Sequence, residues 1–448
     1  MKSTLIKNIF VMGTICAIFV LGVGRVAAND ISTQAQAISK AAAADYSASL
    51  KALFEYLHAN PELSFQEKNT SAKIAEELRL IAGVEVTAGV GRYGVVGVLR
   101  NGKGPVVMLR ADMDGLPIVE RNGLAYVSKV RSTGPDGQEI GVMHACGHDV
   151  HMTSLVGATR QLAAIRAQWR GTLIVIFQPA EEVLGGAPAM LMDGLYTRFP
   201  KPDIVLGLHV ASEIEPGKFK VDERIANSSS DGVDIIVRGV GGHGATPHMA
   251  IDPVVIASDL VMALQTLVSR SIDPLEPGVV TVGVIQAGTK RNIISEQAKL
   301  ELTVRADNRE TRDKLVAGIE RIATGVARTY GVPEDRMPVV LMRETTPPNI
   351  NHTPSAIKLR EALSKSYGEA RMSSVRRQGM GAEDFAYYGS PEWGSIPTVF
   401  FQVGGSVSDD LGKSPPHHSP LFLIQPEPAV RGGVEGYTTA ALTFLGKP

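Results

Sequence analysis

One block of predicted strands and helices, in the order β-α-β-β-α-β, limits the folds open to this chain more than any other feature. Its strands are predicted at 231–240, 279–286, 298–307 and 337–343, and its helices at 252–271 and 312–330. This order is that of the ferredoxin-like fold, in which helices form a layer on a small sheet. The block therefore predicts a self-contained α+β domain inserted into a larger one.

The chain on either side of this block is typical of an α/β fold. Short, continuously apolar runs rich in β-branched residues, at 172–177 and 206–210, indicate strands buried on both faces. Runs at 93–99 and 105–111 predict two more strands, joined by a hairpin or tight connection at Asn101-Gly102-Lys103-Gly104. Because these strands alternate with helices, we predict a mostly parallel central sheet flanked by helices.

The N-terminal segment has the pattern of a secretory signal peptide. Lys2 and Lys7 precede an apolar stretch at 9–24, and the small residues Val26-Ala27-Ala28 follow it. We therefore expect cleavage after this segment and an exported protein, periplasmic or secreted. The alternative is a permanent N-terminal anchor helix.

Composition and charge exclude several classes of protein. With 45 basic and 46 acidic residues the formal net charge is −1, which excludes a strongly basic nucleic-acid binder. Beyond the signal, no apolar run approaches the roughly 18 residues that a membrane-spanning helix needs, so no membrane association is expected after cleavage. Cys16 lies in the signal, which leaves Cys146 as the single thiol of the mature chain and excludes an internal disulfide.

A thiol and an imidazole lie two residues apart in the segment His144-Ala145-Cys146-Gly147-His148. On an extended backbone residues i and i+2 point the same way, so Cys146 and His148 can reach one cation together. This pair suits zinc, nickel, cobalt, iron or manganese. Taken alone, a structural cysteine beside a surface histidine would have the same sequence.

Further candidate ligands follow the predicted buried strands. Glu181 and Glu182 come after the strand at 172–177, and His209 closes the next strand. Because open α/β sheets bind ligands at the carboxyl ends of their strands, these side chains are expected at one rim. Two carboxylates with unequal roles suit metal-assisted hydrolysis, in which one binds the ion and the other moves protons. Acid pairs on surface loops and lone structural histidines are otherwise commonplace.

Three other motifs carry candidate residues. Asp112 and Asp114 follow the strand that begins at 105, either as ligands or in a solvated turn, and the role of Asp112 stays open. His417 and His418 lie in a proline-rich loop, where one of them would face solvent. The glycine-rich turn at 241–248 allows a ligand to approach the backbone closely. It lacks the lysine and strand-to-helix context of a phosphate loop, which excludes nucleotide binding there.

In their order along the chain, these motifs resemble those of the metal-dependent aminoacylase and carboxypeptidase superfamily. They are most similar to the amidohydrolase branch, which contains hippurate hydrolases, N-acyl-amino-acid amidohydrolases and auxin-conjugate hydrolases. The resemblance implies two divalent ions per subunit, drawn from Mn²⁺, Zn²⁺, Ni²⁺ and Co²⁺, and assigns Glu181 as the general base. The metal ligands that it implies are Cys146, His148, Glu182, His209 and His418.

The resemblance also implies roles for residues away from the ions. Asp114 and Glu383 would contact the metal ligands and orient them, without binding the ions themselves. His243 would reach the active site of a neighbouring subunit and hold the oxyanion or the substrate carboxylate. Asn292 and Arg305 would bind the amide oxygen and the α-carboxylate. The inserted domain would then act as a lid and as the surface of a homodimer.

The predicted function is hydrolysis of the amide bond of hippurate-like N-acyl amino acids to a carboxylic acid and a free amino acid. Two alternatives stay open: an exported dipeptidase or metallocarboxypeptidase, and a non-catalytic protein that binds peptides or metal. The partner would be a small acyl amino acid or short peptide, and not a nucleic acid. The predicted division of the chain is a signal peptide at 1–28, a catalytic domain at 29–221 and 347–448, and the lid at 222–346.

Overall fold

The computed structural model describes residues 32–134 and 136–447, so the predicted signal peptide at 1–28 lies outside the described residues. The chain divides into two compact units. The first unit extends to Val221 and also includes Thr353–Val375 and the chain from Val399 onward. The second unit comprises Asp222–His352 and Arg376–Thr398.

The helices and strands are numbered in chain order. The helices are α1 (32–45), α2 (Lys51–Ala59), α3 (Lys68–Arg79), α4 (His148–Ala164), α5 (Gly186–Met192), α6 (Leu195–Arg198), α7 (Pro253–Thr266), α8 (Arg309–Thr329), α9 (Thr353–Tyr367) and α10 (Pro426–Phe444). The strands are β1 (Val84–Val90), β2 (Gly94–Asn101), β3 (Val106–Asp112), β4 (Arg131–Thr133), β5 (Glu139–Gly141), β6 (Gly171–Gln178), β7 (Ile204–Ala211), β8 (Phe219–Lys220), β9 (Ile225–Asn227), β10 (Ser230–Arg238), β11 (Gly242–His243), β12 (Gly278–Ala287), β13 (Ile293–Ile294), β14 (Gln297–Ala306), β15 (Val339–Thr346), β16 (Asn349–Ile350) and β17 (Thr398–Gly404). One-turn π-helical segments continue α1 into α2 and extend α7, at Tyr46–Leu50 and Leu267–Ser271.

The first unit is built on a seven-stranded sheet with the strand order β1-β2-β6-β3-β7-β17-β8. Strands β6, β3 and β7 are parallel neighbours, whereas β1 pairs antiparallel with β2, β2 with β6, and β17 with β8. The predicted α/β class is confirmed. The sheet is mixed, with a parallel centre and antiparallel flanks.

The predicted hairpin between the strands at 93–99 and 105–111 is wrong, although the connection is short. Strand β6 lies between β2 and β3 and satisfies the hydrogen-bonding edges of both. The antiparallel neighbour of β2 in sequence is instead β1, which sequence analysis missed. This edge strand carries mostly half-buried or exposed residues, so it lacks the continuous apolar run of a central strand.

Helix α4 positions the centre of the first unit. Of its 17 residues 14 are buried, as expected for a helix enclosed on all sides. It packs against α10 and against β3 and β7, and near its N-terminus His151 contacts Asp112 and Val210 at the carboxyl ends of β3 and β7. The residues that begin α4 are therefore held in a fully packed environment.

The second unit has the strand order β12-β14-β10-β15, with all neighbours antiparallel. Helices α7 and α8 pack on this sheet around a separate apolar core, which confirms the predicted β-α-β-β-α-β order. Among the described residues, Pro253–Ser271 is the segment long and apolar enough to cross a membrane by length and composition. Its buried side chains, which include Ile256, Leu260 and Leu264, pack on this sheet, whereas Val255 and Met262 are exposed.

The segment Arg376–Thr398 belongs to the second unit, whereas the predicted division placed all of 347–448 in the first domain. Arg377 forms an ion pair with Asp307 and donates to the Ser228 hydroxyl at 3.0 Å. The Tyr387 hydroxyl donates to the carbonyl of Thr345. These partners are distant in sequence, so no local sequence pattern predicts the contacts between them.

Candidate metal centre

The loop before α4 places Cys146 and His148 side by side. Gly147 between them has φ +85°, and a Cβ atom at this position would lie 2.3 Å from Cγ1 of Val210. Only glycine fits both the left-handed backbone and this close approach. The two side chains converge because of this turn, and not because the backbone is extended as the sequence argument assumed.

His148 has the hydrogen-bonding pattern of a metal ligand. Its Nδ1 lies 2.8 Å from the main-chain oxygen of Asp114, which fixes the tautomer with the proton on Nδ1. Its Nε2 is buried with no hydrogen-bond partner among the described residues. The nearest carboxylate oxygens to Nε2 are those of Asp112 at 3.6 Å and of Glu181 and Glu182 at 3.9 Å.

The carboxylates around His148 create a field that favours a cation. Burial lowers the pKa of His148, but the charge of Asp112 and the hydrogen bond with Asp114 outweigh it and raise the pKa to about 10. A positive charge at Nε2 is therefore stabilised here. A divalent ion bound at the Nε2 lone pair would satisfy the same field.

Asp114 orients both glutamates through their main chain. Its Oδ1 accepts the amide of Glu181 at 3.1 Å, and its Oδ2 accepts the amide of Glu182 at 3.0 Å. The Ser64 hydroxyl also donates to Oδ2 at 2.6 Å. Burial would raise the pKa of Asp114, but these donors and His148 lower it, so the carboxylate is charged. One residue thus fixes the His148 ring and the Glu181-Glu182 turn.

Two further imidazoles complete the cluster. His209 donates from Nδ1 to the Val210 carbonyl at 2.6 Å, and its Nε2 lies 3.5 Å from the sulfur of Cys146. The Nε2 of His418 lies 3.4 Å from Oε2 of Glu182. The backbone of His418 is left-handed, with φ +62°, and its amide donates to the Ala145 carbonyl at 2.9 Å.

The neighbouring His417 faces a different group. It is half-buried, and its Nε2 accepts the amide of Ser212 at 3.3 Å. Burial, with the nearby His209, holds the pKa of His417 well below its ordinary value, so the ring is neutral. Of the two adjacent histidines, the structure brings His418 to the cluster.

Asp112 pairs with protein groups. Its carboxylate contacts Arg110 at 2.6 Å and Nδ1 of His151 at 2.5 Å, and all three side chains are fully buried. The Nε2 of His151 accepts the amide of Val210 at 2.8 Å, so both ring nitrogens are engaged. Burial lowers the pKa of His151 to about 3, which keeps the ring neutral. Sequence analysis missed His151 and Arg110, although His148 and His151 at i and i+3 share one face of α4.

The donor atoms form one continuous cluster within the first unit. In each of three groups the candidate ligand atoms lie within 4.8 Å of one another. The groups are Cys146, His148 and His209; Cys146, Glu182 and His418; and His148, Glu181 and Glu182. Sulfur, imidazole and carboxylate donors together fit a divalent transition metal, so the residues present suit such an ion.

The remaining predicted residues lie in the second unit. His243 is exposed on β11, and the amide of the adjacent Gly244 donates to the Asn292 carbonyl at 2.9 Å, so His243 and Asn292 are neighbours. Arg305 is half-buried on β14, and its Nε donates to the Thr303 hydroxyl at 3.1 Å. Glu383 is buried and accepts the amide of Phe385 at 3.0 Å. The roles assigned to these four residues stay predictions.

An α/β fold that buries a thiol, imidazoles and paired glutamates at the ends of its strands defines a metal-dependent hydrolase. The model of the family described as peptidase family M20/M25/M40 matches residues 108–442. The chain belongs to this family and is a metal-dependent hydrolase of amide bonds. This confirms the resemblance to the amidohydrolase branch that the motifs indicated.

The chain is also similar to individual members of the family. The chain is 35% identical to thermostable carboxypeptidase 1 of Saccharolobus solfataricus, over 87% of this chain and 94% of that protein. It is 38% identical to the hippurate hydrolase of Campylobacter jejuni, over 74% of this chain and 82% of that protein. The crystal structure of the Bacillus subtilis YxeP protein, a dinuclear metal-binding peptidase of family M20, has a TM-score of 0.72 and 29% identity, and covers 88% of this chain and 98% of that one.

Proposed function

We propose that this protein is a dinuclear metal-dependent amidohydrolase that converts N-acyl amino acids to a carboxylic acid and a free amino acid. The observation that carries the proposal is the position of Glu181, a glutamate beside a cluster of metal-type ligands that already includes the adjacent Glu182. The similarity to a hippurate hydrolase supports the substrate class, and the similarity to a dinuclear peptidase supports two ions.

The five proposed ligands divide naturally around two adjacent positions. Cys146 belongs both to the group with His148 and His209 and to the group with Glu182 and His418, so its sulfur can serve both positions. When bound, the divalent ions polarise the amide carbonyl and lower the pKa of water. The identity of the native metal depends on supply as well as affinity, and the candidates are Mn²⁺, Zn²⁺, Ni²⁺ and Co²⁺.

Glu181 is the proposed general base and acid. Its carboxylate takes a proton from the attacking water and returns it to the nitrogen of the departing amino acid. The main-chain amide of Glu181 donates to Asp114 and holds the turn. The position of the Glu181 carboxylate is therefore fixed through the backbone. A buried base with a fixed backbone needs little reorganisation during the reaction.

Residues of the second unit are proposed to recognise the substrate. Arg305 offers a planar guanidinium for the free carboxylate of the amino acid, which suits two parallel hydrogen bonds. Burial lowers the pKa of Arg305, but guanidinium groups stay protonated in proteins, so its charge is retained. We assign Asn292 to the amide oxygen and His243 to the oxyanion or the carboxylate.

We also propose that the second unit closes as a lid and forms a homodimer. Its exposed surface includes large apolar side chains on α7 and on the edge strand β12: Val255 at 48%, Met262 at 70% and Ile285 at 51% exposure. Unpaired strand edges and apolar patches favour association. His243 would then complete the neighbouring subunit's site. Export of the mature protein is a further proposal, which rests on the pattern of residues 1–28.

Carboxypeptidase action on short peptides is the second candidate function. The relative in Saccharolobus solfataricus is named a carboxypeptidase; it is 35% identical, against 38% for the hippurate hydrolase, but the match covers more of both chains. Both reactions cleave the amide bond at the nitrogen of the carboxyl-terminal amino acid and release that amino acid, so the metal cluster would serve either. The group on the acyl side distinguishes them.

Substrate profiling tests the proposal. The metal-free chain is reconstituted separately with Zn²⁺, Mn²⁺, Co²⁺ and Ni²⁺ and assayed on benzoylglycine, N-acetyl amino acids and a matched panel of dipeptides. We expect a higher kcat/KM for acyl amino acids than for dipeptides with the same C-terminal residue. Preference for dipeptides would favour the second candidate. Failure to hydrolyse any of these amides in every metal form would contradict both.

A further inference from the structure

Two residues with side chains adopt left-handed backbone next to one buried carboxylate. Phe65 has φ +59° and Ala180 has φ +51°, a region that residues other than glycine rarely adopt. The amides of both donate to the same atom, Oε1 of Glu67, at 3.0 Å from Phe65 and 2.7 Å from Ala180. Glu67 is 0% exposed. A single oxygen thus stabilises two unusual backbone conformations.

Ala180 is the residue that begins the turn of the two functional glutamates. Its amide is held by Glu67, and its carbonyl accepts the amides of Gly185 at 3.1 Å and Gly186 at 3.0 Å. Between these points, the amides of Glu181 and Glu182 are held by Asp114. The turn from 180 to 186 is therefore fixed at its entry by Glu67 and along its length by Asp114 and by its own carbonyl.

The two amides are bound by one oxygen of Glu67, and its other oxygen is unpaired within the part of the chain that the structure describes. Oε2 is buried and has no hydrogen-bond partner among the described residues. Burial and the charge of Asp114 raise the pKa of Glu67 to about 7, against the lowering effect of the backbone donors. Neutral and charged forms both keep Oε1 as an acceptor, so a glutamine can replace the glutamate at this atom.

We propose that Glu67 is a positioning residue for the reaction, which sets the direction of the Glu181 and Glu182 carboxylates by holding Ala180 in its left-handed conformation. This inference rests on the proposed function of the two glutamates. Glu67 acts through the backbone of Ala180. A displacement of reacting groups by about 1 Å can lower a rate by roughly a hundredfold, so loss of this one acceptor is expected to be visible in kcat.

Glu62 supplies a matched control. Its carboxylate accepts the amides of Asn69 at 3.1 Å and Thr70 at 2.7 Å in the same helix α3, where Glu67 is the N-terminal cap. Within the described part of the chain, the side chain of Glu62 makes no hydrogen bond to the turn at Ala180. Glu62→Ala therefore removes comparable local hydrogen bonds without releasing the turn.

The experiment compares Glu67→Ala, Glu67→Asp, Glu67→Gln and Glu62→Ala in the full metal-loaded protein. We expect kcat to fall by about tenfold to a hundredfold in Glu67→Ala and Glu67→Asp, with metal content and KM little changed. Glu67→Gln should keep kcat within about threefold, because its oxygen still accepts both amides. Glu67→Asp keeps the charge but is one methylene shorter, and it gives the same test if the alanine variant does not fold.

Hydrogen exchange of the amides at 180–186 separates this inference from the proposed function. Exchange should be faster in Glu67→Ala and Glu67→Asp than in wild type and Glu62→Ala, whether or not a substrate has been found. The inference is overturned if exchange and kcat are unchanged in both Glu67 variants. It is also overturned if Glu67→Gln loses as much as Glu67→Asp, or if Glu62→Ala matches their loss of kcat. If the wild-type protein hydrolyses no amide, the proposed function is contradicted. The exchange measurement then decides whether Glu67 holds the turn.

Discussion

The two units hold several of their candidate functional residues in different ways, although His418 in the first unit is exposed and Glu383 in the second is buried. In the first unit Cys146 is 8% exposed and His148 is fully buried, and main-chain oxygens or amides hold the rings and turns that carry the ligands. In the second unit His243 and Asn292 are exposed on short, adjacent segments. The difference indicates that the atoms of the chemical step are oriented before substrate arrives, whereas the residues proposed to recognise substrate are free to adjust.

This contrast predicts that substitutions in the first unit change kcat or metal affinity, and that substitution of Arg305, the proposed carboxylate-binding residue of the second unit, changes KM. Within the first unit, Asp114, which also holds the His148 ring, should act on metal affinity, and Glu181 should act on the chemical step alone.

Glu181→Gln should abolish most activity without changing metal content. The amide is nearly isosteric but cannot take a proton from water, and general acid–base groups contribute about 10²–10⁴-fold to rate. The measurement is kcat together with metal content per chain. Glu85→Gln, at a glutamate whose side chain is 70% exposed, is the control and should behave as wild type. If Glu181→Gln kept full activity, Glu181 would not be the base.

Asp114→Asn should weaken metal binding by about 10–100-fold, the usual cost of losing a group that orients a ligand. The carboxylate accepts two amides and a hydroxyl, whereas an asparagine has one acceptor oxygen and would place an NH₂ group against an amide donor. Titration of the metal-free protein with Zn²⁺ measures the effect. An unchanged affinity would show that the Glu181-Glu182 turn does not depend on Asp114.

Arg305→Lys should raise KM by roughly tenfold while kcat and metal content stay near wild type, because a lysine cannot make the two parallel hydrogen bonds of a guanidinium. Arg309→Lys, at a side chain that is 54% exposed, is the matched control. Steady-state kinetics on benzoylglycine and on its amide, which lacks the carboxylate, provide the measurement. Equal loss on both substrates would exclude Arg305 as the group that binds the carboxylate.

His58→Gln should lower stability in a pH-dependent way. His58 is buried between Asp149 at 2.6 Å and Glu120 at 2.8 Å, where burial lowers its pKa but the two carboxylates raise it to about 10. The raised pKa makes protonated His58 stabilising in full below about pH 6.5, its unfolded value, and this contribution is lost as pH rises through about 10. The difference in Tm between wild type and variant, of a few degrees, should therefore shrink from pH 6 to pH 10. A constant difference would show that His58 acts by packing alone.

Sequence reasoning found the candidate ligands because they stand at strand ends. Glu182 and His209 follow continuous apolar runs, and the short loop with Cys146 is recognisable by residue type. The groups that hold them were missed: Glu67 and Ala180 are 113 residues apart, and Arg110 and Gln178, which also share a hydrogen bond, are 68 apart. Such pairs have no local period or composition, since tertiary packing alone brings them together. For the same reason, sequence analysis did not predict the ion pair between Arg377 and Asp307 in the second unit.

The central claim is that the cluster binds two divalent ions and leaves Glu181 outside their coordination. Anomalous X-ray diffraction from crystals of the full chain grown with Zn²⁺ tests it directly. The account predicts two adjacent peaks, contacted by Cys146, His148, Glu182, His209 and His418, with the Glu181 carboxylate near them but not coordinated. A cluster without bound ions, or one in which Glu181 coordinates in place of Glu182, would contradict it.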